Sequence, residues 1–286
     1  MPKSLLYKQL RKKRIKRNKK ALSAQDILAA GDELYLYIND EFFTEQPAEL
    51  PAAAPSPVIV YEDENLLICD KPAGQPSHGG DASLLAGIQY YLYQNGAYHP
   101  EREQSFRPAL SNRLDRNTRG LVLAAKNAAC LRALNEKIKN GDIVKSYLAL
   151  ANGSFSHKTG RLTDYLLADP AENRVHIVSQ KTLGAKCAVT EYEVLKTGGG
   201  LSLLKLTLLT GRKHQIRVQL AHAGHPLVGD TKYGAPKDAR FSYQALCACS
   251  LHFNFIDEEG PLRNIAGKTI DIKEDEYLKL ITIDCF

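Results

Sequence analysis

Asn112-Arg-Leu-Asp-Arg-Asn-Thr-Arg-Gly120 runs directly into Leu121-Val-Leu-Ala-Ala125. Three arginines, one carboxylate (Asp115) and several turn-forming residues stand just before an apolar run of strand length. That junction predicts polar groups presented at the mouth of a buried strand. On composition alone it reads as a surface loop laced by Arg–Asp pairs, each worth about 1 kcal/mol or less. The company it keeps changes that reading. A second basic segment, Thr210-Gly-Arg-Lys-His-Gln-Ile-Arg-Val-Gln-Leu-Ala-His-Ala-Gly224, also follows an apolar strand, at residues 201–209, and leads into a helix over 214–223 ended by Gly224. Helix N-termini flanked by Arg and Lys suit phosphate or carboxylate partners.

Val58-Ile-Val-Tyr61 and Leu66-Leu-Ile-Cys69 flank a polar turn and predict a hairpin. Further strands are expected at 120–125, 146–151, 187–195 and 201–209. A helix is expected over 128–139, with Leu131, Leu134 and Ile138 on one face and Asn127 as its cap. Strands outnumber helices and do not alternate with them, so residues 58–286 read as one α+β domain on a mixed, largely antiparallel sheet.

Before that domain the character differs. Prolines at 47, 51, 55 and 57 among alanines mark residues 41–57 as a semi-extended linker. Residues 1–40 form a small basic region: a helix over 4–14 with Leu5, Leu6, Leu10 and Ile15 on one face, a turn at Asn18, and a strand over 33–38. Of the 38 Lys and Arg residues, ten fall in residues 1–20, where there is no acid. The rest of the chain holds 28 against 32 acids and is slightly acidic, so the formal charge of +6 is a local patch. A cationic patch on a near-neutral body suits a polyanion, nucleic acid or an anionic membrane surface.

Apolar residues make up 44% and charged residues 24% of 286, the balance of a soluble globular chain. No apolar run approaches the roughly 20 residues of a spanning helix, and no secretory signal follows the basic start, so a cytoplasmic protein is expected. The six cysteines form no CxxC pair, which predicts neither a disulfide framework nor a structural zinc site. His214, His222, His225 and Asp230 raise a metal reading, but two of the histidines straddle the helix end at Gly224. Capping or hydrogen-bonded core roles are the better expectation, with no metal or cofactor.

These segments together resemble the ordered motifs of the RluA-type pseudouridine synthases. The likeness rests on Val60-Tyr-Glu-Asp-Glu-Asn-Leu-Leu-Ile-Cys-Asp-Lys-Pro-Ala-Gly74, on Arg113-Leu-Asp-Arg-Asn-Thr-Arg-Gly120, on Lys145-Ser-Tyr147, on Gly211-Arg-Lys-His-Gln-Ile-Arg217 and on Tyr233-Gly234. Residues 2–38 resemble the later part of an S4 RNA-binding domain. The resemblance implies isomerisation of uridine to pseudouridine in structured RNA, with the S4-like part tilting the expectation toward large-subunit ribosomal over transfer RNA; a monomer is the default expectation. It makes Asp115 the essential carboxylate, Tyr147 the ring under the target base and Arg217 the basic partner of Asp115. Arg113, Arg116 and Ile216, with Arg11, Lys12 and Arg14 of the basic region, become RNA-binding candidates. Arg217 suits its role because a guanidinium stays charged and counters the pKa rise that burial imposes on a carboxylate. A base that must leave its stack needs a ring to lie on and a group such as Arg113 to fill the space it leaves. Lys71-Pro72 with Gly74 reads mainly as a structural turn. Asn112 and Arg119 depart from the family, which commonly has His and a small residue there. A non-catalytic RNA-binding or assembly protein on the same fold is the second reading, and the joint presence of Asp115, Tyr147 and Arg217 favours the enzyme. A metal-dependent hydrolase is a distant third.

Overall fold

The computed structural model describes residues 3–37, 54–100 and 106–272. At the N-terminus, α1 (Lys3–Arg11) is followed by β1 (Ile15–Arg17), β2 (Lys20–Ala21) and β3 (Leu34–Leu36), which form an antiparallel sheet in the order β2-β1-β3. The helix ends three residues before the expected Arg14. Lys13 enters the left-handed region (φ 55°), and the Arg14 and Lys13 amides donate to the carbonyls of Gln9 and Leu10, a Schellman closure with lysine where glycine is usual. Asn18 and Lys19 both have positive φ, as a two-residue hairpin turn with the twist of its strands requires. The Asn18 side chain then ties that turn to Asp32 and to the Glu33 amide. Most of the proline-rich linker lies outside the described residues. Its end is seated on the next domain: a Cβ on Gly87 would fall 2.1 Å from the Pro55 carbonyl oxygen.

The larger unit carries β4 (Val58–Glu62), β5 (Leu66–Lys71), α2 (Leu84–Gln94), β6 (Ala109–Leu110), β7 (Arg119–Ala125), α3 (Ala128–Asn140), β8 (Ile143–Asn152), β9 (Thr159–Asp169), β10 (Arg174–Val178), β11 (Lys186–Gly198), β12 (Leu201–Leu208), α4 (Gln215–His222), β13 (Leu246–Phe253) and β14 (Thr269–Asp271). Its strands make one 11-stranded sheet in the order β10-β9-β11-β12-β8-β13-β7-β5-β4, with β14 on β13 and β6 on β7. Among the described residues, only β7 and β13 pair in parallel.

The centre of this sheet is buried on both faces, which is why β5 and β7 read as continuous apolar runs. Leu66, Ile68, Leu121 and Leu123 point to the face covered by α3, where Leu134 and Phe253 complete a core. Leu67, Cys69 and Val122 point to the opposite face and pack with Leu84 and Ile88 of α2 and with Ile216 and Leu220 of α4. The α3 N-cap matches the sequence expectation, Asn127 accepting from the Cys130 amide; Gly141, not singled out in the sequence, closes the helix in the left-handed region. No described helix is long and apolar enough to cross a membrane.

Candidate active site

The segment between β6 and β7 is held rigidly. Asp115 and Thr118 close a turn through the Thr118 amide and the Asp115 carbonyl. Ser77 donates its hydroxyl to the Leu114 carbonyl at 2.8 Å and accepts from the Leu114 amide. Arg116 is tied twice to Gly74, by its own Nε and by the Gly74 amide. Lys71, expected mainly as a turn residue, is a buried strut instead. Its ammonium donates to the carbonyls of Pro72, Gln75 and Arg116 at 2.9, 2.9 and 3.0 Å. Burial pushes its pKa down to about 8, while Asp115 and then Asp70 pull it back up. The two departures from the family pattern serve the same rigidity. Arg119 forms a fork with Asp70 beside Lys71, and the Asn112 side chain accepts from the Leu123 amide and donates to the Leu121 carbonyl.

Asp115 is thereby held out at the rim of a cavity of about 1310 Å³. Arg217 reaches it from α4, Nη1 donating to Asp115 Oδ2 at 3.0 Å. The same guanidinium is gripped from behind by Asp230, through Nε at 2.7 Å and Nη2 at 2.8 Å. Asp230 is almost wholly buried, whereas a quarter of the Asp115 side chain stays exposed. Burial disfavours the Arg217 charge, but hydrogen bonds and charge from Asp230, then Asp115, outweigh it and hold its pKa above the ordinary value. The helix itself is fixed by two buried glutamines one turn apart. Gln215 bonds to Thr190 and the Val189 carbonyl, and Gln219 to Asp164, Thr190 and the Ala188 carbonyl.

His214 caps α4 in the left-handed region (φ 52°), an uncommon conformation for a side chain other than glycine. Its Nε2 lies 3.7 Å from Asp115 Oδ2, and its Nδ1 lies 2.7 Å from the Tyr233 hydroxyl. That hydroxyl already accepts from the Val175 amide at 2.9 Å, so its one hydrogen is best satisfied by donation to Nδ1. This pattern favours the tautomer with its proton on Nε2, facing Asp115. Burial lowers its pKa to about 4 against the pull of Asp115, with Arg217, Lys213 and Lys232 adding to the fall. The ring stays neutral at physiological pH.

Tyr147, on β8, lines the same cavity and is 6% exposed, its hydroxyl kept protonated by burial and by Asp115. Of the other candidates, Arg113 and Arg116 also line it. Ile216 does not: it is packed in the core with Leu220 and Tyr147, so its place in the fold is that of a core residue. Arg11, Lys12 and Arg14 lie in the N-terminal unit and line no part of this cavity. Among the described residues, His214, His222 and His225 do not gather into one set of potential metal ligands. His225 stacks on Phe155 at 4.0 Å and His222 is exposed at the end of α4. His214 beside Asp115 and Asp230 behind Arg217 are contacts that sequence spacing did not find, having assigned these residues to capping or core roles, or to an unfavoured metal set.

A large mixed sheet here presents a partly exposed carboxylate bonded to a buried guanidinium, with a buried tyrosine lining the same cavity. The RNA pseudouridylate synthase family model matches residues 65–222. The chain is similar to ribosomal large subunit pseudouridine synthase C of Salmonella typhimurium, 33% identical over 249 residues that cover 85% of this chain and 74% of that one. The protein of the same name from Escherichia coli is 34% identical over 239 residues, covering 82% and 72%. Human RNA pseudouridylate synthase domain containing 4 shares the fold, with a TM-score of 0.60 at 21% identity over 79% of this chain and 93% of that one. The chain belongs to the RNA pseudouridylate synthase family and is an RNA pseudouridine synthase of the RluA type.

Proposed function

We propose that this enzyme isomerises uridine to pseudouridine in large-subunit ribosomal RNA, with Asp115 as the reacting carboxylate. The relatives' names support the substrate class. The observation that carries the residue assignment is the Asp115–Arg217 pair, in which a guanidinium held by a second, buried carboxylate fixes Asp115 at the cavity. In the reaction the C1′–N1 bond breaks, C1′ joins C5, the C5 proton is lost and N1 gains one. The isomerisation consumes no co-reactant. A buried tyrosine beneath the base and an arginine at the cavity mouth fit a nucleotide drawn out of its stack, Tyr147 lying under the ring and Arg113 filling the gap.

Residues 1–40 serve in this reading as a basic S4-like module, with Arg11, Lys12 and Arg14 on RNA phosphates, joined by the 41–57 linker to the catalytic domain at 58–286. A cytoplasmic monomer acting without metal is the matching whole. The test is a pseudouridine map of cells lacking the gene, complemented with wild type or Asp115→Ala. Ribosomal RNA sites that vanish on deletion and return only with wild type are expected. Sites restored by Asp115→Ala would remove that residue from the chemistry, and lost sites confined to transfer RNA would refute the substrate.

A further inference from the structure

Lys213, Lys232 and Asn173 come from three separate elements and meet at the lip of the cavity. Asn173 sits in the β9–β10 turn with φ 50°. Its side-chain Oδ1 accepts from Lys213 Nζ at 2.5 Å, and its main-chain oxygen accepts from Lys232 Nζ at 2.6 Å. One neutral residue thus gathers two ammonium groups. Among the described residues neither ammonium has a carboxylate partner, and the carboxylates nearby are engaged elsewhere: Asp115 and Asp230 with Arg217, and Glu172 near His176. Lys232 is further fixed because the Arg174 guanidinium bonds to its carbonyl.

A structural staple has no need of two like charges, and bringing them together is unfavourable without an anion. The cost registers locally: burial, then Arg217, Lys213 and Arg174, lowers the Lys232 pKa against a smaller upward pull from Asp115, and both lysines help to keep His214 neutral. Each ammonium has three donors, and Asn173 takes one from each. The others are free to turn toward the cavity that holds Asp115.

We infer that Lys213 and Lys232, gathered by Asn173, form a seat for one RNA phosphodiester beside the nucleotide that enters the cavity. The inference rests on the reading of this cavity as an RNA site. The seat fixes where the backbone runs as the base leaves its stack, and so sets the register of the target uridine relative to Asp115. Its energy comes from release of a condensed counterion, which makes it visible in salt dependence.

The experiment compares wild type, Lys213→Gln/Lys232→Gln and Asn173→Gly on unmodified large-subunit ribosomal RNA transcript. Asn173→Gly keeps the left-handed backbone and the carbonyl held by Lys232, but loses the Oδ1 that holds Lys213. In the double variant, the plot of log binding constant against log salt should become shallower by about 1 unit. KM should rise with kcat largely kept, and Asn173→Gly should fall between. In a short RNA carrying the mapped uridine, a neutral methylphosphonate is then moved one linkage at a time. One position should weaken wild type and leave the double variant unaffected. An unchanged salt slope, or methylphosphonate effects that add to the double substitution at every position, would overturn the seat. Absence of turnover by wild type on this RNA would instead sink the proposed substrate, and the salt slope would still decide on the lysines.

Discussion

Asp230 takes two of the three nitrogens of Arg217, at 2.7 and 2.8 Å, and leaves only Nη1 to meet Asp115. A guanidinium held at two points cannot swing, so the direction of its third donor is set before any substrate arrives. The buried carboxylate thus acts on Asp115 through Arg217.

Asp230→Asn should separate position from charge. The amide cannot hold both Nε–H and Nη2–H as acceptor, and Arg217 should tilt away from Asp115. A misplacement of about 1 Å can cost about 100-fold in rate, and a loss of that order in single-turnover pseudouridine formation is expected with RNA affinity nearly unchanged. Arg217→Lys should fail as well, because a point charge cannot serve two carboxylates in a planar fork. Wild-type turnover by Asp230→Asn would show that Arg217 needs no support.

The path from the Val175 amide through the Tyr233 hydroxyl to His214 makes a separate claim about a proton. Nitrogen-resolved NMR of the imidazole should show the proton on Nε2 across the neutral range, since burial holds the pKa near 4. Tyr233→Phe removes the donor to Nδ1 and frees the ring to change tautomer. A loss of about fivefold in rate, the worth of one hydrogen bond of about 1 kcal/mol, should accompany a mixed tautomer population. A wild-type ring protonated on Nδ1 would reverse the direction of the Tyr233 bond.

Much of this was legible in the chain. β5, β7, β8, β11, β12 and α3 announce themselves by apolar runs and by the Asn127 cap, and the Asp115 segment by its turn chemistry. Other parts were hidden for physical reasons. Leu84–Gln94 is apolar nearly all round and carries Gly87, so it shows no helical stripe; the glycine is there because the Pro55 carbonyl lies against the helix. The β9–β10 hairpin lies at the sheet edge, half exposed, and alternates too weakly to stand out. Asp230, thirteen residues from Arg217, and Asn173, forty from Lys213, acquire meaning only once the fold brings them to their partners. Lys71 read as a turn residue because nothing local shows three carbonyls converging on its ammonium.

Lys71 gives the pH prediction. An ordinary lysine titrates near about 10.4, and burial brings this one down to about 8. Between those values the unfolded chain binds more protons than the folded one, so this group makes stability rise with pH over that window, and its cost is fully present below about pH 8. Lys71→Met has no such group. The excess of wild-type over variant melting temperature should therefore widen as pH rises from about 8 to about 10. A gap that narrows would mean that the three carbonyls favour the ammonium more than burial opposes it.

Gly120 closes the segment that carries Asp115, at the point where β7 meets β13. It has φ 133°, and Ala248 lies opposite it across the parallel pairing. A Cβ there would fall 2.4 Å from the Ala248 carbonyl oxygen and 2.5 Å from its nitrogen, backbone atoms that cannot turn aside. Relief requires β7 and β13 to part, and with them the sheet under Tyr147, which pairs with Ala248 on the other side of β13. Gly141 is the control: its φ is 82°, but nothing lies within 4 Å of the added methyl, so strain alone is at stake. Gly120→Ala should cost about 3 kcal/mol or more, and Gly141→Ala about 1 to 2 kcal/mol, read by urea unfolding. Equal costs would show that the close approach of the two strands adds nothing to the backbone strain.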